Sequence, residues 1–460
     1  MDNICLEHPE YKLKKPMWRK YRDLYSGGEL LKANASEYLT PRQKEPPDVY
    51  SERLSKVFYE NYIGSIIDWY AATLFRREPV LHVDGVDAAG REFFSVFADD
   101  CDLKGTNLSD FFRRQLIETL VGGVSYVLLD FPRPATPPKN RAEEEASGAS
   151  RGYLVDYPAE SMTNWSLDSH GNYEWVVLRS THARKDDARS SEYREETVWR
   201  YYDKTTYRIL RRVGPERSPV DVVDHGRHAL ANQSRVPLFE TRVSDGLWLM
   251  NKAALLQIEH FNKSNALSWA LSMGLFAAPV IYSDKEWNQI VGESYFIQLG
   301  PGDRFGWTEP EGKVYQIASD NLMRLQEEIY RVCYLLHQAQ GAQSSVSQSG
   351  LSKLRDFAIT QEVLRAYGDV IKDTMKRVLR FLGIARQDSV LVHVSGLDDF
   401  DIRDFSADLE DAERLLSLGI QSPTLRKQVF KRLAYKYLSD VRQEVKDQIA
   451  REIDASLDAC

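Results

Sequence analysis

Two long helical patterns on either side of a polar stretch constrain this chain more than any other feature of its sequence. In residues 321–338, apolar side chains recur at steps of three and four and form one face. Leu351–Leu382 repeats this spacing, and a helix of that length would be about 50 Å long. The stretch Gln340–Lys353 (QGAQSSVSQSGLSK) offers almost nothing that a core could bury. Three interpretations fit it: a phosphate-binding loop, a linker between domains, or a mobile loop that contacts a passing partner.

The sequence argues against a nucleotide site in this stretch. A P-loop requires Gly-x4-Gly-Lys-Ser/Thr after a strand, whereas here a helix precedes the stretch and Gly350 is followed by Leu351. The run Gly300–Gly306 (GPGDRFG) lacks the dinucleotide-binding spacing and is typical of a hairpin turn. A linker is disfavoured because both flanking helices have long apolar faces that need packing in one body. The mobile loop is the remaining interpretation.

Composition places the chain among folded proteins. Its 460 residues suffice for several domain-sized cores, and 43% hydrophobic content excludes the signature of disorder. No apolar run is long enough to cross a membrane, and the first residues have no secretory h-region. The cysteines Cys5, Cys101, Cys333 and Cys460 are scattered without metal-ligand spacing. They indicate reduced thiols and a cytoplasmic folding environment.

Charge and aromatic content limit the ways in which this chain can meet nucleic acid. A formal net charge of −8 argues against gripping nucleic acid by neutralising its phosphates. It does not exclude a protein that DNA passes without being held. Core and interface packing is favoured over base stacking for the tryptophans of the strand and helix segments. These are Trp165, Trp175, Trp199, Trp248, Trp269, Trp287 and Trp307.

The first third of the chain reads as mixed helix and strand. Periodicity predicts helices over Tyr50–Phe75 and Ser109–Leu120, the second ended by a Gly-Gly pair. Val124–Phe131 (VSYVLLDF) follows as an apolar strand, which indicates an α/β layer. Pro132–Gly152 is rich in proline and charge and predicts an exposed excursion.

The next segments predict strands and then a long helix. Strand patterns occur in YLVDYP, YEWVVLRSTHA and ETVWRYYDKTTYRILRRVG, the last with a hairpin turn at Asp203 and Lys204. Leu247–Leu275 is helical and apolar on more than one side, which indicates a helix sandwiched between neighbours. Short strands are predicted in PVIY, SYFIQLGPGDRFGW and KVYQIA, and another in SVLVHVS. The tail from Asp398 is helical and charged.

Few residues suggest chemistry. Two histidines and two aspartates share a segment predicted to be a polar loop, and a solvated loop is favoured there over a metal site. They are His225, His228, Asp221 and Asp224. His393 alternates with valines in a strand and is interpreted as structural. The eight acids of Asp398–Glu413 are typical of a solvated helix face or an interface rim. No nucleophile, metal site or cofactor is predicted.

In the order of its elements, the chain resembles bacteriophage portal proteins. Tyr50–Leu81 resembles the N-terminal segment of one portal subgroup, in which an aromatic/Arg-Leu start, an Asn and a final Phe-Arg-Arg-x-Pro recur. Tyr157–Ser180, with Asn164 and Trp165, resembles the strand block that follows. The resemblance spans nearly the whole chain, and its specific part is the order of the motifs.

Later motifs continue the same order. Arg235–Val243 (RVPLFETRV), the helix with Asn262 and Ser264, and the APVIY that follows resemble the approach to the first stem helix and the clip. Ser347–Leu364 resembles the Ser-Gly start of the long helix after the tunnel loop of portal proteins.

The resemblance implies an α+β fold that is mainly helical and has the portal architecture. The implied parts are a wing at 1–245 with a return strand at 389–395, a first stem helix at 246–275, a small β-containing clip at 276–318, a second stem helix at 319–340, a tunnel loop at 341–350, a long channel helix at 351–383 and a C-terminal helical crown at 398–460. Each part is an expectation that the resemblance carries.

The same resemblance implies a structural protein that is not an enzyme. It would form a ring, usually of twelve subunits, at one vertex of an icosahedral capsid. Double-stranded DNA would pass through the ring during packaging and ejection without sequence-specific contact. The implied partners are the terminase large subunit, which hydrolyses ATP, the major capsid and scaffolding proteins, and a head-tail adaptor. The protein would assemble in the host cytoplasm and reside in the virion, with no membrane and no cofactor.

Two groups of site residues follow from the resemblance. The DNA-channel loop would comprise Gln343, Ser344, Ser345, Ser347, Gln348, Ser349 and Lys353. The clip would contact terminase or adaptor through Lys285, Trp287, Asp303, Arg304 and Trp307. A neutral loop and net acidity suit translocation, because clustered positive charge would trap DNA. We expect Lys353 to reach a phosphate.

Two other functions remain open at this point. A metal-dependent nucleic-acid-processing enzyme could draw a diffuse acidic site from Asp398–Glu413. Another oligomeric scaffold, of a virion or of a cell, is the second alternative. A nuclease assay with Mg²⁺ or Mn²⁺ tests the first, and electron microscopy of the purified protein tests the second.

Overall fold

The structure is a computed structural model that describes most of the chain. The described residues are 4–133, 143, 148, 151–185, 192–274, 278–282, 302, 304–308, 312–335, 350–397, 405–418, 422–438, 441 and 443–458.

The chain divides into two compact units. The larger unit comprises Met1–Arg22, Ile66–Asn251 and Gln348–Cys460, and the smaller unit comprises Asp23–Ser65 and Lys252–Ser347. Both units are therefore built from segments that are distant in sequence.

Helices account for more of the described chain than strands. They are α1 (Pro9–Ser26), α2 (Gly28–Ala33), α3 (Pro47–Ser55), α4 (Tyr62–Leu74), α5 (Ala88–Asp99), α6 (Leu108–Gly122), α7 (Leu249–Gly274), α8 (Gly312–Val332), α9 (Gly350–Ala385), α10 (Phe405–Ser417), α11 (Pro423–Tyr437) and α12 (Gln443–Asp458). The predicted class, α+β and mainly helical, is confirmed.

The described strands pair antiparallel in four small sheets. They are β1 (Val80–Asp84), β2 (Val124–Asp130), β3 (Tyr153–Pro158), β4 (Met162–Leu167), β5 (Tyr173–Arg184), β6 (Arg194–Asp203), β7 (Thr206–Val213), β8 (Asp221–Arg227), β9 (Leu238–Arg242), β10 (Ala278–Tyr282), β11 (Arg304–Thr308) and β12 (Leu391–Ser395). The sheet orders are β3-β2-β9, β4-β5-β6-β7-β8, β1-β12 and β10-β11.

Strand β2 is the central strand of the three-stranded sheet β3-β2-β9. All seven of its residues are buried, which explains the nearly continuous apolar run in the sequence. Tyr126 and Leu128 belong to a core that α1 and the five-stranded sheet complete, while the alternate residues Val127 and Leu129 are buried on the opposite face. The sequence pattern and the central position of β2 therefore agree.

Helix α6 and its caps lead the chain into β2. The Asn107 Oδ1 atom accepts a hydrogen bond from the Asp110 N–H at 2.7 Å and caps the start of the helix. At its end, Gly123 has a φ of 81° and its N–H donates to the Thr119 carbonyl. A Cβ on Gly123 would lie 2.9 Å from the Trp248 ring. Both the left-handed backbone and the nearby ring therefore require glycine.

Helix α9 buries one long apolar face, as its periodicity predicts. The fully buried side chains recur at steps of three and four: Leu364, Tyr367, Ile371, Met375, Val378 and Leu382. Arg377 Nη2 donates to the Glu240 carbonyl at 2.7 Å and thereby joins α9 to β9. The long helix is thus packed within the larger unit along the part whose side chains the structure describes.

The predicted hairpin between β6 and β7 is confirmed, and one carboxylate forms its turn. Asp203 Oδ1 accepts hydrogen bonds from the N–H groups of Thr205 and Thr206 at 2.7 and 2.6 Å. The strands predicted in YLVDYP, YEWVVLRSTHA, PVIY and SVLVHVS are also present, as β3, β5, β10 and β12. Most of the excursion predicted at Pro132–Gly152 lies outside the described residues.

The single helix predicted over Tyr50–Phe75 is wrong. The structure has α3 and α4 instead, separated by residues 56–61. Asn61 begins α4, because its Oδ1 atom accepts from the Gly64 N–H at 2.9 Å. The apolar spacing continued through the break and concealed this cap.

Three further segments differ from the sequence-based expectation. KVYQIA forms the first turns of α8 rather than a strand, since Val314 and Ile317 recur at the three-residue step of a helix. Residues 304–306, expected in a hairpin turn, begin strand β11. The predicted polar loop at His225 is strand β8, which pairs with β7.

His228 follows β8 and is buried. Its Nε2 atom lies 2.9 Å from the Asp203 carbonyl, while Nδ1 has no hydrogen-bond partner. Nε2 therefore carries the proton, and protonating Nδ1 would bury an unpaired donor. Burial lowers the pKa of His228 below its ordinary value. The unfolded chain therefore takes up a proton in mild acid before the folded chain does, and stability falls as pH falls.

We predict that His228→Gln reduces the loss of stability between about pH 7 and about pH 5, because glutamine retains a donor but does not titrate. Urea unfolding at the two pH values measures this difference for wild type and variant. The exposed His170 offers a matched substitution, and His228→Gln should change the pH dependence more than His170→Gln does. An equal pH dependence in His228→Gln and wild type would contradict the argument.

Candidate stem, clip and channel elements

The predicted channel-loop residues fall mostly beyond what the structure describes. Gln343, Ser344, Ser345, Ser347, Gln348 and Ser349 lie outside the described residues. Lys353 lies in the first turn of α9, where the backbone is described and the side chain is not. The role of this loop therefore stays a prediction.

The predicted clip residues are described only in part. Lys285, Trp287 and Asp303 lie outside the described residues. Arg304 is the first residue of β11 and is exposed, opposite Tyr282 of β10. Trp307 lies opposite Pro279 in the same antiparallel ladder. The structure thus contains a small β element between α7 and α8, where the clip was predicted.

Helices α7 and α8 run antiparallel within the smaller unit. Three side-chain contacts establish the direction, because the position on α8 falls as the position on α7 rises. Lys252 Nζ donates to Tyr334 OH just beyond α8, Lys263 Nζ donates to Asn321 Oδ1 at 2.9 Å, and Tyr315 OH donates to the Ala270 carbonyl at 3.4 Å. The first of the predicted stem helices is confirmed as a helix, and the second begins at Gly312 rather than at residue 319.

Helix α8 has a regular apolar face. Leu325, Ile329 and Cys333 recur at four-residue steps and are buried. Burial raises the pKa of the Cys333 thiol to about 12. Since the thiolate is the nucleophile, this cysteine acts as a core residue rather than a reactive one.

Side-chain amides share the buried side of helix α7 with apolar residues such as Ala253, Ala254 and Phe261. Gln257 is fully buried; its Nε2 donates to the Glu60 carbonyl at 2.8 Å and its Oε1 accepts from the Ile63 N–H at 3.2 Å. The Gln257 amide therefore pairs one backbone carbonyl and one backbone N–H near the break between α3 and α4.

Two more amides of α7 repeat this arrangement. Asn262 donates to the Tyr38 carbonyl at 2.9 Å and accepts from the Thr40 N–H at 2.8 Å. Asn265 donates to the Phe58 carbonyl at 3.0 Å and accepts from the Phe58 N–H at 3.1 Å. We name Gln257, Asn262 and Asn265 the amide row. In the sequence, Asn262 belongs to the resemblance to portal proteins, whereas Gln257 and Asn265 are visible only as polar interruptions of an apolar pattern.

The helix pair leaves several large apolar side chains in contact with water. Val314 and Ile317 are one turn apart on α8, and the Tyr315–Ala270 contact places them at the same end of the pair as Leu271. The exposed fractions are 71% for Leu255, 64% for Val314, 60% for Ile317, 48% for Met323 and 39% for Leu271. Apolar residues grouped on a surface are typical of a site that another chain covers.

The residues considered for a metal site do not form one. His225 is exposed, His228 is turned to the Asp203 carbonyl, and Asp224 accepts from Tyr207 OH at 3.2 Å. Among the residues that the structure describes, no group of three or more His, Cys, Asp or Glu is placed to hold a metal ion. Part of the acidic segment Asp398–Glu413 lies outside that range. In the described part of the chain, no helix combines the length and the apolar character needed to span a membrane.

Comparisons with known proteins give only distant likenesses. No protein-family model and no curated protein matches the chain. Among solved structures, the chain is similar to the neck of an empty gene transfer agent (GTA) particle computed with C6 symmetry, at 12% identity, with a TM-score of 0.46 and coverage of 85% of this chain and 95% of that chain.

Two further solved structures are similar at the same level. The virion of a native GTA particle gives 13% identity and a TM-score of 0.43, covering 86% of this chain and 96% of that chain. The neck of a native GTA particle computed with C12 symmetry gives 12% identity and a TM-score of 0.41, covering 86% and 98% respectively. At these values the likenesses carry no conclusion about this chain's fold or activity.

We predict that Gln257→Leu destabilises the protein by about 2 to 4 kcal/mol, because it leaves a buried carbonyl and a buried N–H unpaired. Gln316 on α8 provides a matched control, since it is exposed and bonds only to Asp320 of its own helix. Gln316→Leu should change the free energy of unfolding by less than about 0.5 kcal/mol. Chemical denaturation measures both changes, and equal changes would show that the amide row does not hold the segment.

Proposed function

We propose that this chain is a structural portal protein, a ring-forming subunit through which double-stranded DNA enters and leaves a capsid. The observation that carries the proposal is the antiparallel pair α7 and α8, which is joined through a small β ladder and exposes apolar side chains. The order of the sequence motifs resembles that of portal proteins. In that resemblance the stem corresponds to these two helices and the clip to the ladder between them. A stem whose helices also pack against neighbouring subunits would expose such residues in one isolated chain.

Two other features support the proposal. Strand β12 pairs with β1 in register, so the segment after α9 returns to the N-terminal half as the predicted wing return strand does. The segment before α9 is neutral and polar, and the chain has a net charge of −8. Both properties suit DNA that must move, since each released counterion would deepen a trap.

The proposed assembly is a ring of twelve subunits at a capsid vertex, with wing, stem, clip, tunnel loop and crown as predicted. Its partners would be double-stranded DNA, the terminase large subunit, the major capsid and scaffolding proteins and a head-tail adaptor. Lys285, Trp287, Asp303, Arg304 and Trp307 would contact terminase or adaptor, and Lys353 would reach a DNA phosphate. The chain itself would not be an enzyme.

We predict that the double variant Val314→Asp/Ile317→Asp prevents ring assembly, because it would bury two unpaired carboxylates between subunits. Both side chains are exposed in a single chain, so the variant should fold and give the far-ultraviolet circular dichroism spectrum of wild type. Analytical ultracentrifugation measures assembly. Leu167, 49% exposed at the end of β4, provides the control, and Leu167→Asp should assemble normally. A double variant that assembles as wild type would contradict the proposed interface.

Deleting residues 343–349 should leave ring assembly nearly intact and impair DNA packaging or retention. The segment is neutral and polar, so its loss removes contacts with DNA and no apolar interface. Particle assembly followed by nuclease-protection of packaged DNA measures the effect. If assembly itself collapses, the segment belongs to the subunit interface and its assignment as a channel loop is wrong.

A further inference from the structure

A cleft of about 900 Å³ lies in the larger unit, between the β1–β12 ladder and helices α11 and α12. Pockets that bind small molecules typically measure ~300 to 1,000 Å³, a range that includes ligands of nucleotide size. Among the predicted channel and clip residues whose side chains the structure describes, none lines this cleft.

Among the residues that the structure describes, the cleft wall carries more cations than carboxylates. The cations that line it are Arg77, Arg91, Lys431, Arg432, Lys446 and Arg451. The carboxylates that line it are Glu78, Asp84 and Asp454, and Lys431 Nζ lies 2.7 Å from Asp454 Oδ2. The local excess of positive charge contrasts with the net charge of −8 for the chain and favours an anionic ligand.

Lys446 is the most informative of these cations. Its residue is only 2% exposed, yet it lines the cleft, and no described carboxylate forms an ion pair with it. Its carbonyl accepts a weak hydrogen bond from Tyr435 OH at 3.5 Å, and its side chain borders the cleft, where a bound anion would meet its ammonium group.

Aromatic rings stand beside these cations. His82 of β1 and His393 of β12 are cross-strand partners, with ring centroids 6.2 Å apart and planes within 28°. The Tyr435 ring of α11 lies 6.1 Å from His82. All three residues line the cleft. Rings of this kind provide stacking surfaces for a nucleobase.

From this arrangement we infer that the cleft binds a nucleotide, with Lys446 and Arg432 contacting its phosphates and the rings of His82, His393 and Tyr435 contacting its base. Arginine and lysine are the side chains that recognise phosphate, and a phosphate concentrates more charge than a carboxylate. The nucleotide is either free in solution or part of DNA, since both present the same phosphate and base. An acidic peptide would satisfy the cations and leave the rings unused.

This inference is independent of the proposed portal role, because ring assembly and nucleotide binding can fail separately. Isothermal titration calorimetry on the full-length protein tests it with ATP free of divalent metal, inorganic pyrophosphate, a short single-stranded DNA oligonucleotide and an oligoglutamate peptide. Three variants accompany the wild type. Lys446→Met keeps the length of the side chain, Arg432→Gln changes an exposed residue, and Lys376→Met on α9 is a charge-matched control outside the cleft.

We expect ATP to bind more tightly than pyrophosphate, and both Lys446→Met and Arg432→Gln to weaken ATP binding by about tenfold or more. Lys376→Met should bind as wild type does. If single-stranded DNA competes with ATP, the nucleotide comes from DNA; if it does not, the ligand is a free nucleotide.

Three results would overturn the inference: no ATP binding to wild type, equal ATP binding by all variants, or binding of oligoglutamate in place of ATP. The exposed Arg432 keeps the test valid if Lys446→Met fails to fold.

Discussion

The hydrogen bonds of the amide row are the interaction on which the smaller unit depends. Backbone between α3 and α4 does not form a helix, and backbone groups at Phe58 and at Ile63 lack helical partners there. Asn265 and Gln257 supply both an acceptor and a donor at these points. An unpaired buried backbone group costs about as much free energy as a lost hydrogen bond. The break between α3 and α4 leaves such groups, and the amides of α7 pair them.

This arrangement also accounts for the surface of the helix pair. Amides share the buried side of α7 with Ala253, Ala254 and Phe261, whereas Leu255 is exposed. On α8, residues such as Leu325 and Ile329 form the buried face. Val314 and Ile317 of the same helix are exposed. We propose the oligomer because these apolar residues are exposed. We propose the DNA channel because the segment before α9 is neutral and polar. The two parts of the account therefore rest on different physical properties.

Sequence reasoning succeeded where one local pattern determines the structure. The helical spacing of apolar residues predicted α9, and the nearly continuous apolar run predicted β2. In both elements the apolar residues of the pattern are the ones that are buried. It failed at Asn61, where a single cap overrides a continuing apolar spacing, and at Gly312, where α8 begins earlier than expected. The cleft at Lys446 was missed because its residues come from distant segments and only the fold brings them together. No local pattern could have indicated it.

Electron microscopy of the purified full-length protein tests the central claim most directly. If the chain is a portal subunit, particle images will show rings with an axial hole wide enough for a DNA duplex, and averaging will resolve repeated subunits around that hole. A compact monomer at micromolar concentration, or an oligomer without an axial hole, would contradict the account.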